Sequence, residues 1–425
     1  MTATPTKVEK QTTTKPAATP KPATVDLQAT QTKIQAIISE QQATHYERTE
    51  LVTAFWHAII ANQHLLMVGP GGTGKSFLTR DTAKRIVGAN YFEVAMDETT
   101  TPDQILGPPD IKSMVEDGKT RRVPDGMLPT AHVAFLDEFF NANGPALHST
   151  MPLLNERIFH NNGKPVPIPL RTAFMGTNKL NSDVDQAALW DRVHHRHVVG
   201  YVSDRDHLHN LIGEAMLRQV STYEAPEFTT VTLAEIDAAH DAAMSLPVSD
   251  IAFNTFLDIK EELERNGVIV STRRLVEAMK GVLAMAWTAG HDEVKVGDLG
   301  ILRHMLWTTQ DQISVVKTVV LNACNPGEKK ALDLLDELDK FKTEYSQASE
   351  LDEIKRNTAA IDIFKKAQRL IDEATPLRDT ATAAGASTQR IDDLIEAANN
   401  LREKIGVECF NMDAAQIAAL PTTRR

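Results

Sequence analysis

The chain of 425 residues holds only two cysteines, Cys324 and Cys409. They stand far apart, so a disulfide framework is excluded and no metal-ligand spacing arises. That suits a reducing cytoplasm, the expected location. No stretch reaches the ~18 consecutive apolar residues of a membrane-spanning helix. The N-terminus lacks the apolar core of a secretory signal. Positive charge is also short, with 45 Lys and Arg against 57 Asp and Glu and a net charge of −12. This argues against general binding to nucleic acid or anionic membrane, though a local basic patch is compatible with it. Residues 1 to 25 carry almost no large apolar side chain. Such a segment cannot bury enough surface to offset its ordering entropy, and it reads as a disordered, weakly basic tail.

Elsewhere 42% of residues are hydrophobic, and the length suits two or three domains. The organising stretch is Gly69-Pro70-Gly71-Gly72-Thr73-Gly74-Lys75-Ser76, which fits G-x-x-x-x-G-K-[ST]. Leu65 to Val68 before it reads as a buried strand, and Phe77 to Val87 after it as a helix. Glycines let several backbone N–H groups turn toward one anion, and the helix N-terminus adds its positive dipole end. Gly69 to Phe77 is therefore the expected phosphate-binding stretch. Lys75 would reach the outer phosphates of ATP, and Ser76 would hold Mg²⁺.

Further strands are expected at Phe92–Met96, Val133–Glu138, Thr172–Gly176 and His197–Val202. Strands apolar on both faces and alternating with helices imply an α/β fold with a parallel sheet covered on both sides. Ligands of such sheets lie beyond the carboxyl ends of the strands. Asp137 and Glu138 close the third strand, where Asp137 can hold the Mg²⁺ shell and Glu138 can act as general base. Asn178 follows the fourth strand and can orient water and the outer phosphate. Arg192, with Arg196 as alternative, is a candidate arginine supplied in trans. Arg273, or Arg274, begins a helix that could reach back to the nucleotide. His194, His195, His197, His207 and His209 cluster in sequence without a catalytic metal spacing, and packing at a subunit boundary is expected of them.

Two insertions are expected as hairpins: one turning at Gly118 between Val115 and Val123, one at Asn162-Gly163. Residues 230 to 325 read as wholly helical, including Asp298–Trp307. Asn325-Pro326-Gly327 breaks the chain. Three more helical stretches follow, with heptad-like seams through Ile391, Leu394, Ala398, Leu401 and Ile405, and through Leu351, Ile354, Ile361, Phe364 and Ile371. A small helical bundle is expected there, with a partner-binding coiled coil as the alternative. Leu377 to Ser387 reads as a loop.

With these residues in view, the chain resembles the MoxR family of AAA+ ATPases, nearest its RavA-like branch. The likeness spans residues 45 to 325. It rests on Phe135 to Asn143, Leu153 to Phe159, Thr100-Thr101-Pro102 with Gly107-Pro108, Ala188 to Arg192, and Ser271 to Arg274. It implies a Walker A loop at Gly69 to Ser76, Walker B acids at Asp137 and Glu138, sensor 1 at Asn178, an arginine finger at Arg192 and sensor 2 at Arg273. It further implies an αβα core with a five-stranded sheet (residues 29–228), an all-α lid (229–325) and a C-terminal helical region (326–425). A hexameric ring with Mg²⁺ and ATP between subunits is implied, acting as a chaperone-like remodeller beside a von Willebrand factor A domain partner. The rival expectations are a nucleic-acid-stimulated motor, with Lys112, Lys119, Arg121, Arg122 and Lys164 lining a pore, and a nucleotide-gated scaffold of low turnover.

Overall fold

Alternate residues of each central strand belong to two different hydrophobic layers, and this sets the architecture. Leu65, Met67, Val133, Phe135 and Phe174 face one layer; Leu66, Val68, Ala134, Leu136, Ala173 and Met175 face the other. All are buried, so both faces must be covered by helices. The computed structural model describes residues 25–178, 192–218, 227–324, 326–348, 353–383 and 388–410. The expected N-terminal tail up to residue 24, the Ala187–Asp191 part of the arginine motif and Asn325 lie outside them.

Five parallel strands form the main sheet in the order β3-β4-β7-β1-β8: Tyr91–Ala95, Val133–Asp137, Thr172–Thr177, Leu65–Val68 and His195–Val198. β8 begins and ends earlier than its apolar run suggested. Leu65 pairs with His195 and Val68 with Val198, and only the Val199 N–H continues the ladder, to the Val68 carbonyl at 2.8 Å. One layer is closed by α1 (Leu27–Thr44), α2 (Thr49–Ile60) and α8 (Leu233–Met244). Phe55 of α2 stacks on Phe174 at 3.9 Å between ring centroids. Burial of such a side chain stabilises by about 1.5–3 kcal/mol. The other layer merges with the lid helices α9 (Asp250–Arg265), α10 (Thr272–Thr288) and α11 (Gln312–Cys324). Val296–His304, where a helical run was expected over Asp298–Trp307, is 3₁₀.

The second insertion is the expected hairpin, β5 (Ile158–Asn161) with β6 (Lys164–Pro167). The first is not a hairpin. Asp110 caps a short helix, α5 (Ile111–Asp117), by accepting from the Ser113 N–H, and Gly118 ends it with φ 63°. A side-chain cap at one end and a left-handed glycine at the other bracket a helix. Asn161 stitches the two insertions together, accepting from the Arg122 N–H at 2.9 Å and donating to the Arg122 carbonyl at 3.2 Å.

Beyond the lid, α12 (Pro326–Ala348), α13 (Glu353–Ala383) and α14 (Gln389–Phe410) enclose a core of their own. It is a three-helix bundle, with Ile391, Leu394, Ala398, Leu401 and Ile405 all buried. On α13 the buried line is Ala360, Ile363, Ala367, Leu370 and Ala374, whereas Ile361 is exposed. α13 also runs on through Leu377 to Ala383, where a loop was expected. Leu377 and Ala381 pack into the bundle core, and alanine is a strong helix former.

Candidate active site

The turn after β1 is held by close approaches that exclude side chains. A Cβ on Gly69 would sit 2.0 Å from the Val199 carbonyl oxygen. Gly72 and Gly74 have φ of 78° and 84°, and Gly74 caps α3 (Lys75–Lys84). The loop's amides and the α3 N-terminus thus converge at the carboxyl edge of the sheet. Lys75 is buried, and its Nζ donates to the Gly69 and Pro70 carbonyls at 2.7 and 3.1 Å. Ser76 follows it at the first turn of α3.

Asp137 ends β4 beside this loop. A Cβ on Gly176 would lie 2.1 Å from Asp137 Oδ1 and 3.3 Å from Lys75 Cε. The carboxylate, the ammonium stem and the missing side chain therefore share one point. Glu138 stands next to Asp137 in the left-handed region, φ 50°, which is unusual for a side-chain-bearing residue. Its Oε2 accepts from Asn141 Nδ2 at 3.0 Å. Asn141 lies within the Phe135–Asn143 motif, and its contact with Glu138 is not legible in the sequence. Asn178 is exposed directly after β7, next to Thr177, whose carbonyl accepts from the Gly69 N–H at 2.9 Å.

A small cleft of about 70 Å³ flanks the loop. His45, Tyr46, Phe77, Val202 and Leu211 line it together with Lys75. The His45 and Phe77 rings lie 5.1 Å apart, and Arg218 sits 4.9 Å from the Phe77 ring. Only Phe77 among the cleft's aromatic side chains had been singled out from sequence. Nothing in the order of residues announces that Tyr46 and Leu211 meet there. The donor set fits a magnesium-bound nucleoside triphosphate: loop amides and Lys75 for phosphate, Ser76 and Asp137 for the cation, an aromatic cleft for a base.

The two arginines lie elsewhere. Arg192 and Arg273 line a cavity of about 560 Å³ with Arg157, Arg171, Lys280 and Glu277. The same cavity takes in Asn62 to His64, which precede β1, and His194, which precedes β8, so it lies at the amino edge of the sheet, opposite the loop. The expectation that Arg273 reaches its own subunit's nucleotide is thereby corrected. The cause is Gln63, buried, whose amide donates to the Glu277 carbonyl at 2.7 Å and to its carboxylate at 3.0 Å, holding α10 beneath the start of β1. Of the paired alternatives, Arg273 is exposed while Arg274 is buried and donates to Thr308 at 2.6 Å. Arg192 is half-buried; Arg196 is fully buried, with Nε donating to the Val193 carbonyl at 3.1 Å and its guanidinium over the Trp307 ring. Arg196 therefore cannot serve a neighbouring chain.

For two of the five clustered histidines the expectation is also corrected. His195 and His197 point into the fold, not to a subunit boundary: His195 meets Gln63 Oε1 at 3.0 Å and His197 stacks on His304 of the lid at 4.1 Å. Burial pushes both well below the ordinary histidine pKa. Among the described residues no cluster of three His, Cys, Asp or Glu could hold a metal.

Strand order, the glycine loop after β1 and the acids after β4 define the AAA+ class of αβα fold with a helical lid. Comparisons narrow this. Residues 32–238 match the model of the MoxR domain in the MoxR-vWA-beta-propeller ternary systems, and residues 252–320 match an AAA lid domain. The chain is 30% identical to the uncharacterized protein MJ0079 of Methanocaldococcus jannaschii over 88% of its length and 97% of the relative's. It is 29% identical to the structural protein ORF618 of Acidianus two-tailed virus over 51% of its length and 35% of the relative's. A crystal structure from Cytophaga hutchinsonii, described as a candidate ATPase, superposes with a TM-score of 0.56 over 69% of this chain and 95% of that one, at 13% identity. The chain belongs to the MoxR family of AAA+ ATPases.

Proposed function

We propose that the chain hydrolyses ATP with Mg²⁺ in a ring of identical copies, and that the resulting motion remodels a protein partner. One observation carries this reading: Lys75, Asp137 and Gly176 meet at one edge of the sheet while Arg192 and Arg273 lie at the other. A single copy then holds half a site at each edge, and head-to-tail contact completes it. In this reading Lys75 and the loop amides bind the phosphates, Ser76 and Asp137 hold the cation, and Asn178 orients the outer phosphate. Bound magnesium supplies charge neutralisation on the phosphate oxygens. Glu138, held by Asn141, takes a proton from the attacking water. Arg192, with Arg273 beside it, places positive charge on a neighbour's outer phosphate.

The family description supports a partner containing a von Willebrand factor A domain. The boundaries near residues 228 and 325, a cytoplasmic setting and a RavA-like placement belong to the same proposal. No helix among the described residues is long and apolar enough to cross a membrane. The test is phosphate release and nucleotide binding on three variants. Lys75→Ala should lose ATP binding. Glu138→Gln should keep it while turnover falls about 10²–10⁴-fold. Arg192→Ala should keep binding and lose about 10³-fold or more in turnover. Undiminished turnover in Glu138→Gln would remove the proposed base.

A further inference from the structure

The polar side chains that line the cleft beside the phosphate loop are tied to other parts of the chain, with one exception. Thr44 Oγ1 donates toward the Glu40 and Gln41 carbonyls, each at 3.3 Å. Tyr46 donates to Glu214 of α7 (Arg205–Leu217) at 2.7 Å. Thr73 Oγ1 donates to the Pro70 carbonyl at 3.0 Å, and Arg48 donates to the Thr73 and Gly200 carbonyls. Lys75 belongs to the phosphates. The exception is His45, whose ring packs against Phe77 on the cleft wall. Its Nε2 meets Asp81 Oδ2 at 3.1 Å. Its Nδ1 has no hydrogen-bond partner among the described residues.

The state of that nitrogen follows from a chain of donors that begins in the core. The Trp56 indole can only donate, and it donates to Gln41 Oε1 at 2.8 Å. The Gln41 amide is thereby oriented, with Nε2 donating to Asp81 Oδ2 at 2.8 Å and to Thr82 at 3.0 Å. Burial alone would raise the Asp81 pKa, but the bonds from His45 and Gln41 and the charge of Arg85 bring it below the ordinary carboxylate value. An ionised carboxylate only accepts, so the proton between Asp81 and His45 sits on Nε2. The neutral ring then carries its lone pair on Nδ1. Trp56 and Gln41 are fully buried, so the core itself fixes this tautomer.

A bare ring nitrogen on an aromatic cleft selects for a donor. Adenine carries an exocyclic N–H donor where guanine carries a carbonyl oxygen. Against Nδ1 the amine completes a hydrogen bond, whereas the carbonyl sets lone pair against lone pair. We infer that His45 reads the base of the nucleotide, its Nδ1 accepting from the exocyclic amine of adenine and rejecting purines with an oxo group at that position. The inference rests on the proposed nucleotide site and names the residue that sets its base specificity. Asp81, Gln41 and Trp56 are its positioning residues.

The probes are ATP, inosine triphosphate, which has the oxo group in place of the amine, and purine riboside triphosphate, which has neither. Affinities for the full-length chain with Mg²⁺ are read by displacement of a fluorescent ATP analogue. Wild type should bind ATP about tenfold or more tighter than inosine triphosphate, and about threefold or more tighter than purine riboside triphosphate. His45→Phe keeps a ring beside Phe77 and loses the acceptor, so the three affinities should become nearly equal. His45→Leu repeats the change with a smaller side chain, because His45 is only 7% exposed; the melting temperature is read on both. A cleft that is merely loosened weakens all three triphosphates alike and leaves their ratios unchanged. Equal affinities in wild type, or wild-type ratios in either variant, overturn the inference while leaving the nucleotide site in place. Binding of none of the three by wild type overturns the nucleotide reading, and this inference with it.

Discussion

Gly176 shows how one absent side chain joins the parts of the site. A Cβ there would meet the Asp137 carboxylate at 2.1 Å, and that carboxylate cannot simply swing away, because Oδ1 also accepts the Glu138 N–H at 3.1 Å. Gly176→Ala should therefore displace Asp137 and lower affinity for magnesium nucleotide by about tenfold or more, a cost of overpacking near 1–3 kcal/mol. Magnesium-dependent binding of a fluorescent nucleotide checks it, with the melting temperature read alongside. Unchanged magnesium dependence would mean that Asp137 is not where the cation is held. Arg157 tells a different story. It donates to the carbonyls of Leu154, Asn62 and Arg171, and burial lowers its pKa to about 10. It is a staple of the sheet's amino edge, with no need of a ligand to explain it.

At the scale of elements, the start of α2 reaches three parts of the molecule. Arg48 directly precedes it and donates to the Thr73 carbonyl of the phosphate loop at 3.4 Å. Two residues on, Glu50 accepts from Arg303 and His304 of the lid and from Arg390 at the start of α14, each at 3.3 Å. These groups edge a cavity of about 600 Å³ between core, lid and bundle. Glu50 is 44% exposed, so solvent screens the network and Glu50→Gln should cost only about 1 kcal/mol in stability. Its clearer effect should be faster hydrogen exchange at the first turn of α14, which high salt should reproduce in wild type. Exchange there that ignores both changes would show that Glu50 does not hold the bundle. None of this was legible in the sequence, because ion pairs between residues 50, 303 and 390 leave no periodic trace. The strands and the loop were legible, since β1, β4 and β7 are continuously apolar and the glycine pattern has a fixed spacing. The errors share a cause. Gly118 between apolar flanks reads as a hairpin turn only without the Asp110 cap eight residues earlier. The α13 seam was drawn through large side chains, whereas Ala360, Ala367 and Ala374 are what let that helix pack closely. Chain order does not reveal on which edge of a sheet a lid docks, and so does not place Arg273.

At the scale of the whole molecule, the hydrophobic cores divide unequally in their response to acid. All 14 histidines lie before residue 305, and the bundle has none. His57 is buried and burial holds its pKa down to about 4; His194 is lowered to about 4, chiefly by burial, and His64, His195 and His197 are pushed well down. An unfolded chain protonates these rings below about 6.5, while the folded chain refuses the proton until about 4. The unfolded state thus binds more protons in that window, and stability falls as pH falls through it. His57 alone contributes a loss of about 3 kcal/mol between those limits. In the bundle the sign reverses at Asp393, whose carboxyl burial raises, so acid favours its folded form. The core and lid should therefore unfold near pH 4–5 while α12, α13 and α14 stay helical. All four tryptophans lie outside the bundle, at 56, 190, 287 and 307. Their emission should shift to the red on acidification while part of the far-ultraviolet helix signal persists and melts later. If fluorescence and helix signal are lost together, the bundle depends on the core for its fold. If neither changes down to pH 4, the buried rings are not neutral guests of the interior but carry partners that tolerate their charge.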